Sequence, residues 1–126
     1  MILGIGCDIL DIKRFQKACS DALIRRVFTE KEQNACKKLK GCRKWGYLAK
    51  RFAAKEAFSK ACGTGIGEHI SWQDIEILNN AQGAPVLQLS PRAKNFIKKH
   101  FKCAKFKAHI SLSDDIQAMA FVIIEK

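Results

Sequence analysis

The chain has 126 residues, 48% of them hydrophobic, and its 23 lysines and arginines against 12 acidic residues give a net charge of +11. This length predicts a single domain over residues 1–126 with one hydrophobic core. Only eight glycines and two prolines are present, which excludes collagen-like and disordered chains. The excess of positive charge predicts an acidic partner: a nucleic acid, an anionic membrane, phosphates or an acidic protein.

The N-terminal segment and the cysteines bear on where the protein works. No apolar run approaches the roughly 18 residues of a membrane span, and Met1–Gly4 lacks a basic segment and a cleavage site, so we expect no membrane helix and no signal peptide. The six cysteines lack Cys-x-x-Cys and zinc-finger spacing. They are predicted to be free thiols in a reducing cytoplasm, without structural zinc.

The first predicted strand has one face almost without side chains. Residues 2–9 alternate, with Leu3, Ile5, Cys7 and Ile9 on one face and Gly4, Gly6 and Asp8 on the other. The bare face lets a neighbouring backbone or a ligand approach closely. The glycines are not a dinucleotide fingerprint, because no third glycine follows and no helix begins inside the motif.

Helix signals follow this strand. Residues 12–28 have a helical pattern with a break near Ser20, and a capping box from Thr29 to Glu32 predicts a helix that starts at residue 30 and ends near Gly41. An alanine-rich stretch then predicts the longest helix, from residue 44 to about residue 62, ended by the glycine-rich segment 63–67.

The second half of the chain alternates strands with one helix. Residues 71–78 and 85–89 predict a hairpin, Ser90-Pro91 predicts the start of a helix, and residues 106–113 and 117–125 predict two further strands. The last strand is apolar on both faces, so we expect it to be central or at a subunit interface. The order of elements predicts an α+β fold, with a mostly antiparallel sheet packed against a long helix and shorter helices.

Two carboxylates stand at positions that are unusual for surface residues. Asp8 shares a strand face with two glycines, and Glu56 falls on the apolar stripe of the long helix, where an unpaired carboxylate is costly. A shared Mg²⁺ would stabilise both. Alternatively, Asp8 caps a strand end and Glu56 pairs with Lys60 or Arg51. Lys60 and the adjoining glycine-rich segment can bind phosphates, or the segment only ends the helix.

Other polar residues have a functional and a structural interpretation. His109 and Ser111 share the polar face of a predicted strand. They are either part of a functional site or ordinary surface residues. A Ser-His-Asp hydrolase is not indicated, because no nucleophile elbow is present. The basic residues of segment 12–28 and the lysines between positions 94 and 107 are interaction faces or solvated faces.

Six motifs, in order, cover nearly the whole chain and carry a resemblance to a family. They are Gly4-Ile-Gly-Cys-Asp8-Ile, Arg51-Phe-Ala-Ala-Lys-Glu56-Ala-Phe-Ser-Lys60-Ala, Gly63-Thr-Gly-Ile-Gly67, Asp74-Ile-Glu-Ile77, Asn80-Ala-Gln-Gly-Ala-Pro85 and His109-Ile-Ser-Leu-Ser113. The sequence resembles holo-acyl-carrier-protein synthase, the small bacterial type of 4′-phosphopantetheinyl transferase.

The resemblance implies a reaction and its partners. The 4′-phosphopantetheine group of coenzyme A is transferred to a serine of apo acyl carrier protein, which gives holo-acyl carrier protein and adenosine 3′,5′-bisphosphate, in fatty acid biosynthesis. It further implies Mg²⁺ as cofactor, with Mn²⁺ as an alternative, coenzyme A as co-substrate, and a cytoplasmic homotrimer with active sites between neighbouring subunits.

The resemblance also implies roles for individual residues. Asp8 and Glu56 match the metal ligands, and Glu56, Lys60 and His109 match catalytic positions. Coenzyme A is expected to contact Lys60, Gly63, Gly65, Gly83, Pro85, His109 and Ser111. The acidic carrier protein is expected to dock on Lys13, Arg14, Lys17 and Arg25. The base for the carrier serine is either Glu56 or a metal-bound water. Asp114-Asp115 departs from relatives that carry histidine or another polar residue there.

Two other functions are open on sequence grounds. A small basic nucleic-acid-binding domain would explain the charge and the interleaved phenylalanines, but it has no binding motif and leaves Asp8 and Glu56 unexplained. A non-catalytic subunit that binds carrier proteins would have no need of Asp8, Glu56 and Lys60.

Overall fold

The computed structural model describes residues 1–126. Its elements, in chain order, are β1 (Ile2–Asp11), α1 (Ile12–Ala18), α2 (Asp21–Val27), α3 (Glu30–Cys36), α4 (Cys42–Cys62), β2 (Ile75–Asn79), β3 (Pro85–Leu89), α5 (Pro91–His100), β4 (Lys107–Asp114) and β5 (Gln117–Glu125). A short 3-10 turn, Trp72–Asp74, precedes β2. None of the helices has the length and apolar character required to span a bilayer.

Every strand pair is antiparallel. In a three-stranded sheet, β5 lies between β1 and β4, and β2 pairs with β3 in a separate hairpin. The predicted α+β class with an antiparallel sheet is therefore confirmed. The central place of β5 agrees with the apolar character of both its faces.

Helix α4 covers one face of the three-stranded sheet and forms the main core with it. The core includes Ala57 and Phe58 from α4, and Ala120 and Val122 from β5, all fully buried. A second, smaller cluster joins α2 and α3 to α4 around Phe28. The opposite face of the sheet is not covered by any element of this chain, which leaves large apolar side chains exposed there.

The local capping signals set most helix boundaries as predicted. Ser20 separates α1 from α2 and its hydroxyl accepts a hydrogen bond from the Leu23 N–H, and Thr29 begins α3 with a complete capping box. The predicted end of α3 at Gly41 is wrong. The helix ends at Cys36, and Gly41, with φ of 58°, is the N-cap of α4. A left-handed glycine can precede a helix as well as follow one.

The strand predicted over residues 71–78 is shorter than expected. The Asp74 carboxylate accepts hydrogen bonds from the Ser71 N–H and hydroxyl, at 2.8 and 2.9 Å, which closes a turn and delays the strand to Ile75. The strand predicted over 106–113 lies one residue later, at Lys107–Asp114. Strand β1, predicted over residues 2–9, extends two residues further, to Asp11. Strands β3 and β5 have the predicted bounds.

Asp74 connects this turn to the start of α5. Its carboxylate also accepts hydrogen bonds from the Ser90 hydroxyl, at 2.6 Å, and from the Arg92 guanidinium. Burial by itself raises the pKa of Asp74, but the bonds from Ser90, Ser71 and Arg92 outweigh it and lower that pKa to about 2. The charged carboxylate therefore stabilises the fold.

Asp74 is expected to make the stability pH-dependent below its unfolded pKa of 3.8. Because the folded pKa is the lower one, the stabilisation is complete above about pH 5 and is lost as the pH falls toward 2. It amounts to about 2 kcal/mol in full, of which about 1 kcal/mol is lost by pH 3. The free energy of unfolding is measured in urea at pH 5 and at pH 3. The decrease between these two pH values should be smaller for Asp74→Asn than for wild type. For Asp115→Asn, at an exposed position, the decrease should equal that of wild type. Equal losses in all three proteins would contradict the assignment.

Candidate active site

The bare face of β1 is in direct contact with helix α4. An ideal Cβ on Gly4 would lie 1.9 Å from the Ala61 carbonyl oxygen, and one on Gly6 would lie 1.8 Å from the Ala57 carbonyl oxygen. No side chain larger than hydrogen fits there, so the two glycines allow strand and helix to touch backbone to backbone. This confirms the expected close approach and identifies the approaching backbone as α4.

The close approach places Asp8 beside the polar residues of α4. Lys60 Nζ donates a hydrogen bond to Asp8 Oδ1 at 2.9 Å and a second one to the Cys7 carbonyl oxygen at 3.2 Å. The Asp8 side chain is 18% exposed and that of Lys60 is 53% exposed. The expected alternative pairing of Glu56 with Lys60 or Arg51 is not formed, because Lys60 bonds to Asp8 and Arg51 bonds to the Ile77 carbonyl and to Asn79.

Glu56 is the second carboxylate of this cluster. Burial raises its pKa, the negative charge of Asp8 raises it further, and the Lys60 ammonium partly offsets both effects. The hydrogen bond to Asp8 is in turn the main cause of the raised pKa of Lys60. A carboxylate whose pKa is raised by burial and by a neighbouring negative charge is at a position that favours a bound cation.

The donors present match a hard divalent cation. Asp8 and Glu56 offer carboxylate oxygens, and no group of three or more His, Cys, Asp or Glu side chains is close enough to form a complete protein cage. Mg²⁺ binds in this manner, through one or two carboxylates together with water and substrate phosphates. The residues therefore fit the expected cation, provided that a phosphate-bearing substrate supplies the remaining ligands.

The glycine-rich segment after α4 forms the helix stop that was one of its two interpretations. The N–H groups of Gly63, Thr64 and Gly65 donate to the Lys60 and Ser59 carbonyls, and that of Gly67 donates to Ile70. Gly63 and Gly65 have φ of 74° and 68°, the left-handed conformation that ends a helix. The segment thus caps α4, and the N–H groups of its glycines all bond to carbonyls of this chain. A contact with coenzyme A would therefore involve other atoms on the surface of the segment.

The hairpin between β2 and β3 holds the other predicted nucleotide-contact residues. Asn80 Oδ1 accepts hydrogen bonds from the Gln82 and Ala84 N–H groups, and Gly83 closes the turn with φ of 85°. Pro85 begins β3, opposite Asn79. Gly83 thus sits in an exposed turn, and the half-buried Pro85 is the first residue of the strand that follows it.

His109 and Ser111 do not lie beside Glu56 and Lys60 within one chain. In the sheet register His109 is paired with Ile123, which is paired with Ile5, so all three lie on the face opposite α4. Ser111 lies on this face as well. His109 Nε2 is 2.9 Å from Glu125 Oε1, and the histidine side chain is 56% exposed. The predicted site residues are therefore divided between the two faces of the sheet.

The predicted docking residues form an exposed basic surface. Lys13, Arg14 and Lys17 lie on α1 and Arg25 lies on α2, and all four are exposed. Helix α1 follows β1 directly, and its N-cap Asp11 accepts a hydrogen bond from the Arg14 N–H at 2.8 Å. The metal-site strand and the docking helix are thus continuous in the chain.

Sequence reasoning missed a buried ion pair behind this site. Lys55 and Glu32 are fully buried and joined at 2.7 Å. Lys55 Nζ also donates to the Val27 and Trp72 carbonyls, and Glu32 Oε2 accepts from the Ile77 N–H. One available signal was the position of Lys55, three residues from both Phe52 and Phe58 on the apolar side of α4.

The fold and the site define a class of protein. Residues 4–120 match the family model described as the 4'-phosphopantetheinyl transferase superfamily, and the chain belongs to that family.

Its similar relatives are more specific. The chain is 40% identical to the holo-[acyl-carrier-protein] synthase of Pelagibacter ubique, over 99% of this chain and 98% of that protein. It is 43% identical to the one of Bacillus cytotoxicus, over 99% and 97%. A solved synthase from Bacillus anthracis, described as a complex with CoA (3',5'-ADP), has a TM-score of 0.83 at 41% identity, over 98% and 96% of the chains. The Neisseria meningitidis synthase has a TM-score of 0.86 at 36% identity, over the full length of both. The resemblance predicted from the motifs is confirmed.

Proposed function

We propose that this chain is a holo-acyl-carrier-protein synthase, which transfers the 4′-phosphopantetheine group of coenzyme A to a serine of apo acyl carrier protein. The observation that carries the proposal is the cluster of Asp8, Glu56 and Lys60, held together by the packing of Gly4 and Gly6 on α4. The relatives named above support the same activity. They give no support to the nucleic-acid-binding alternative.

In the proposed reaction the carrier serine oxygen attacks the phosphorus that bears the pantetheine group. A new phosphorus–oxygen bond forms, and the bond to adenosine 3′,5′-bisphosphate breaks. Lys60 neutralises charge on the pyrophosphate, as a lysine does in other phosphoryl transfers. Glu56, whose pKa is raised by burial and by Asp8, is the group of this chain best suited to accept the serine proton. Asp8 holds Lys60 in place.

Asp8 and Glu56 are also the residues proposed to hold Mg²⁺. Held by these two carboxylates, Mg²⁺ would supply positive charge against the charge that develops on the leaving phosphate. Lys60 now occupies one oxygen of Asp8, so the lysine must share or release that oxygen when a cation and a pyrophosphate bind. Its high exposure and its flexible chain allow this movement.

Intact mass spectrometry of the carrier protein tests the reaction directly. The purified chain is mixed with coenzyme A, Mg²⁺ and an apo acyl carrier protein, and the carrier should gain the mass of one phosphopantetheine group. Removal of the metal by a chelator should stop the gain, and added Mg²⁺ should restore it. No gain with several apo carriers and a folded enzyme would overturn the proposed function.

The uncovered face of the sheet supports the proposal of a homotrimer. Ile5, Ile9, Met119 and Phe121 on this face are 55%, 56%, 47% and 41% exposed. They are neighbours in the sheet, because Ile9 pairs with Met119 and Cys7 pairs with Phe121. Contiguous apolar surface of this kind marks a protein interface. A second copy on this face would also meet His109 and Ser111, so an active site could combine them with Glu56 and Lys60 of a neighbour.

Phe121→Asp is expected to convert the oligomer to monomers and to abolish transfer, because a charge would be buried in the interface. Light scattering coupled to size-exclusion chromatography measures the mass. Val86→Asp is the matched control: Val86 is 37% exposed on β3, outside this face, and should leave the oligomer intact. A wild-type monomer with full activity would contradict the proposal of shared sites.

Mixing two inactive variants gives a sharper test of shared sites. Glu56→Gln and His109→Ala each damage a different half of a composite site. After subunit exchange in an equal mixture, about one quarter of the sites should contain both intact halves, so activity should return to about that level. No recovery, with exchange shown by mass spectrometry, would mean that each chain forms its site alone.

Arg14→Glu is expected to raise the KM for the carrier protein about tenfold, with little change in the KM for coenzyme A. Reversal of one charge in a docking surface weakens encounter with an acidic partner, and the effect should fade with added salt. Steady-state kinetics with each substrate varied in turn measures both constants. Lys40→Glu, an exposed charge reversal outside α1 and α2, should leave both unchanged. Equal effects of Arg14→Glu on the two substrates would count against docking on α1.

The proposal also covers the extent of the domain and the cellular location of the protein. Residues 1–126 act as one transferase domain, in keeping with the way α4 contributes residues to both the main core and the smaller cluster around Phe28. All six cysteines are free in the structure, which supports work in the reducing cytoplasm.

A further inference from the structure

A small cavity between α3, α4 and β2 contains the buried Arg51. The cavity has a volume of about 430 Å³, and its wall carries three cations, Lys31, Lys38 and Arg51, and no acidic residue. Sites for small molecules begin at roughly 300 Å³, so a small ligand fits. A concave surface lined by charge of one sign attracts the opposite charge, which indicates an anionic ligand.

Arg51 is a buried charge without an acidic partner. The residue is only 2% exposed, and its guanidinium forms no salt bridge with any carboxylate of the chain. Glu32, the buried carboxylate of this region, is bonded to Lys55 instead. Arginines that are buried in proteins are almost always paired, so the missing negative charge is expected to come from outside the chain.

One nitrogen of the Arg51 guanidinium is left for a ligand. Nε donates to the Ile77 carbonyl oxygen at 3.1 Å, and Nη2 donates to Asn79 Oδ1 at 2.8 Å. The guanidinium carbon lies 3.6 Å from the centre of the Tyr47 ring, which holds the group in place. Nη1 has no partner, and it is not enclosed, since the Tyr47 hydroxyl is the only enclosed side-chain polar atom without a partner. Because Arg51 lines the cavity, Nη1 is the atom that a ligand would contact.

Two exposed lysines complete the positive wall. Lys31 lies in the first turn of α3 and Lys38 lies just after its end, and neither forms an ion pair. Arg51 has only Nη1 free, so it cannot form the two parallel bonds that it typically makes to a carboxylate. A phosphate group has three terminal oxygens and carries nearly two negative charges at neutral pH, so each of the three cations can bind a different oxygen.

We propose that this cavity binds a phosphate group, either as inorganic phosphate or as part of a small phosphate ester. Its oxygens accept hydrogen bonds from Arg51 Nη1 and from the Lys31 and Lys38 ammonium groups. The inference does not depend on the proposed transferase function.

The cavity is separate from the candidate active site and from the proposed subunit interface. Arg51 and Lys60 are nine residues apart on α4, which places their side chains on opposite sides of the helix and about 13 Å apart along its axis. None of the cavity residues belongs to β1, β4 or β5, the strands whose uncovered face carries His109 and the exposed apolar residues. A phosphate bound here would therefore leave the Lys60 site of the same chain open.

Calorimetric titration of the full-length protein with inorganic phosphate and with glycerol 3-phosphate tests the proposal. Lys31→Gln with Lys38→Gln should weaken binding about tenfold. The control pair, Lys37→Gln with Lys40→Gln, removes the same charge from exposed positions outside the wall of the cavity, and should change binding less than about twofold. The lysines are substituted because loss of Arg51 would also break its bonds to β2 and disturb the fold. Circular dichroism verifies that both variants are folded.

Tighter binding of glycerol 3-phosphate would assign the cavity to a phosphate ester, and equal or weaker binding would assign it to inorganic phosphate. Citrate is the third probe. If citrate binds more tightly than both phosphate ligands, the cavity is a carboxylate site and the proposal is wrong.

Lys60→Gln separates this cavity from the candidate active site, which also offers a cation to phosphate. Binding should persist in Lys60→Gln, and it should still be weakened by adding Lys31→Gln with Lys38→Gln. Binding that is lost in Lys60→Gln but kept in the cavity variant would place the phosphate in the active site and overturn the proposal. Equal losses in the two double-lysine variants would show only general attraction of charge and would also overturn it, as would the absence of phosphate binding.

Discussion

Glu56→Gln is expected to lower the rate of phosphopantetheine transfer by about 10³-fold, with the fold intact. The substitution keeps the shape of the side chain but removes the charge that a cation would use and the base that would accept the serine proton. Glu56 is only partly buried, and an amide there does not have to be ionised, so stability should not fall. Initial rates by intact mass spectrometry and the melting temperature measure the two quantities.

A control variant and the Mg²⁺ dependence of the activity loss separate the two roles proposed for Glu56. Glu30→Gln makes the same chemical change at an exposed position in the first turn of α3, and it should keep nearly full activity. A loss in Glu56→Gln that excess Mg²⁺ partly restores would point to weakened cation binding. A loss that Mg²⁺ does not affect would point to the missing base. Activity within about threefold of wild type would remove Glu56 from the mechanism.

Lys55→Met is expected to lower the free energy of unfolding by about 3–5 kcal/mol. The side chains of Lys55 and Glu32 are fully buried, and the substitution would leave the Glu32 carboxylate buried without its ammonium partner. Burial lowers the pKa of Lys55, and the charge of Glu32 and its hydrogen bond with Lys55 act against this lowering. Urea unfolding followed by circular dichroism measures the loss.

Two companion variants separate the ion pair from general effects of substitution on α4. Lys50 lies on the same helix as Lys55 and forms a partly exposed ion pair, at 2.8 Å, with Asp114 of β4. Lys50→Met removes this pair and should cost less than about 1 kcal/mol. The double variant Lys55→Met, Glu32→Leu removes both charges. Its loss of unfolding free energy should be smaller than the sum of the losses in the two single variants. Strict additivity would show that the two side chains do not stabilise one another.

The activity of Lys55→Met, measured well below its melting temperature, addresses the role of this pair in the site. Lys55 is adjacent to Glu56 in the chain, and it bonds α4 to the carbonyls of Val27 and Trp72. If the pair holds α4 in register against its neighbours, the variant should lose kcat more than it raises the KM for coenzyme A. An unchanged kcat would limit the pair to a structural role.

The sequence alone was sufficient for the features that depend on neighbouring residues. Ser20, Thr29 and Gly63 mark helix ends through contacts within a few positions, and the structure has helix boundaries at all three. The alternation of β1 was also sufficient to place Gly4, Gly6 and Asp8 on one face. Only the element that occupies that face was unknown.

Features that join distant parts of the chain required the tertiary structure. Lys60 bonds to Asp8 across 52 positions and not to Glu56, one helical turn away. Lys55 is buried because Glu32, from another helix, supplies its partner. His109 lies across the sheet from Glu56 because β4 and β1 both pair with β5. Local spacing determines which residues share a face of a helix or strand. Which faces meet, and whether a charge finds a partner there, depends on packing between segments, and this packing has no signature in the spacing of nearby residues.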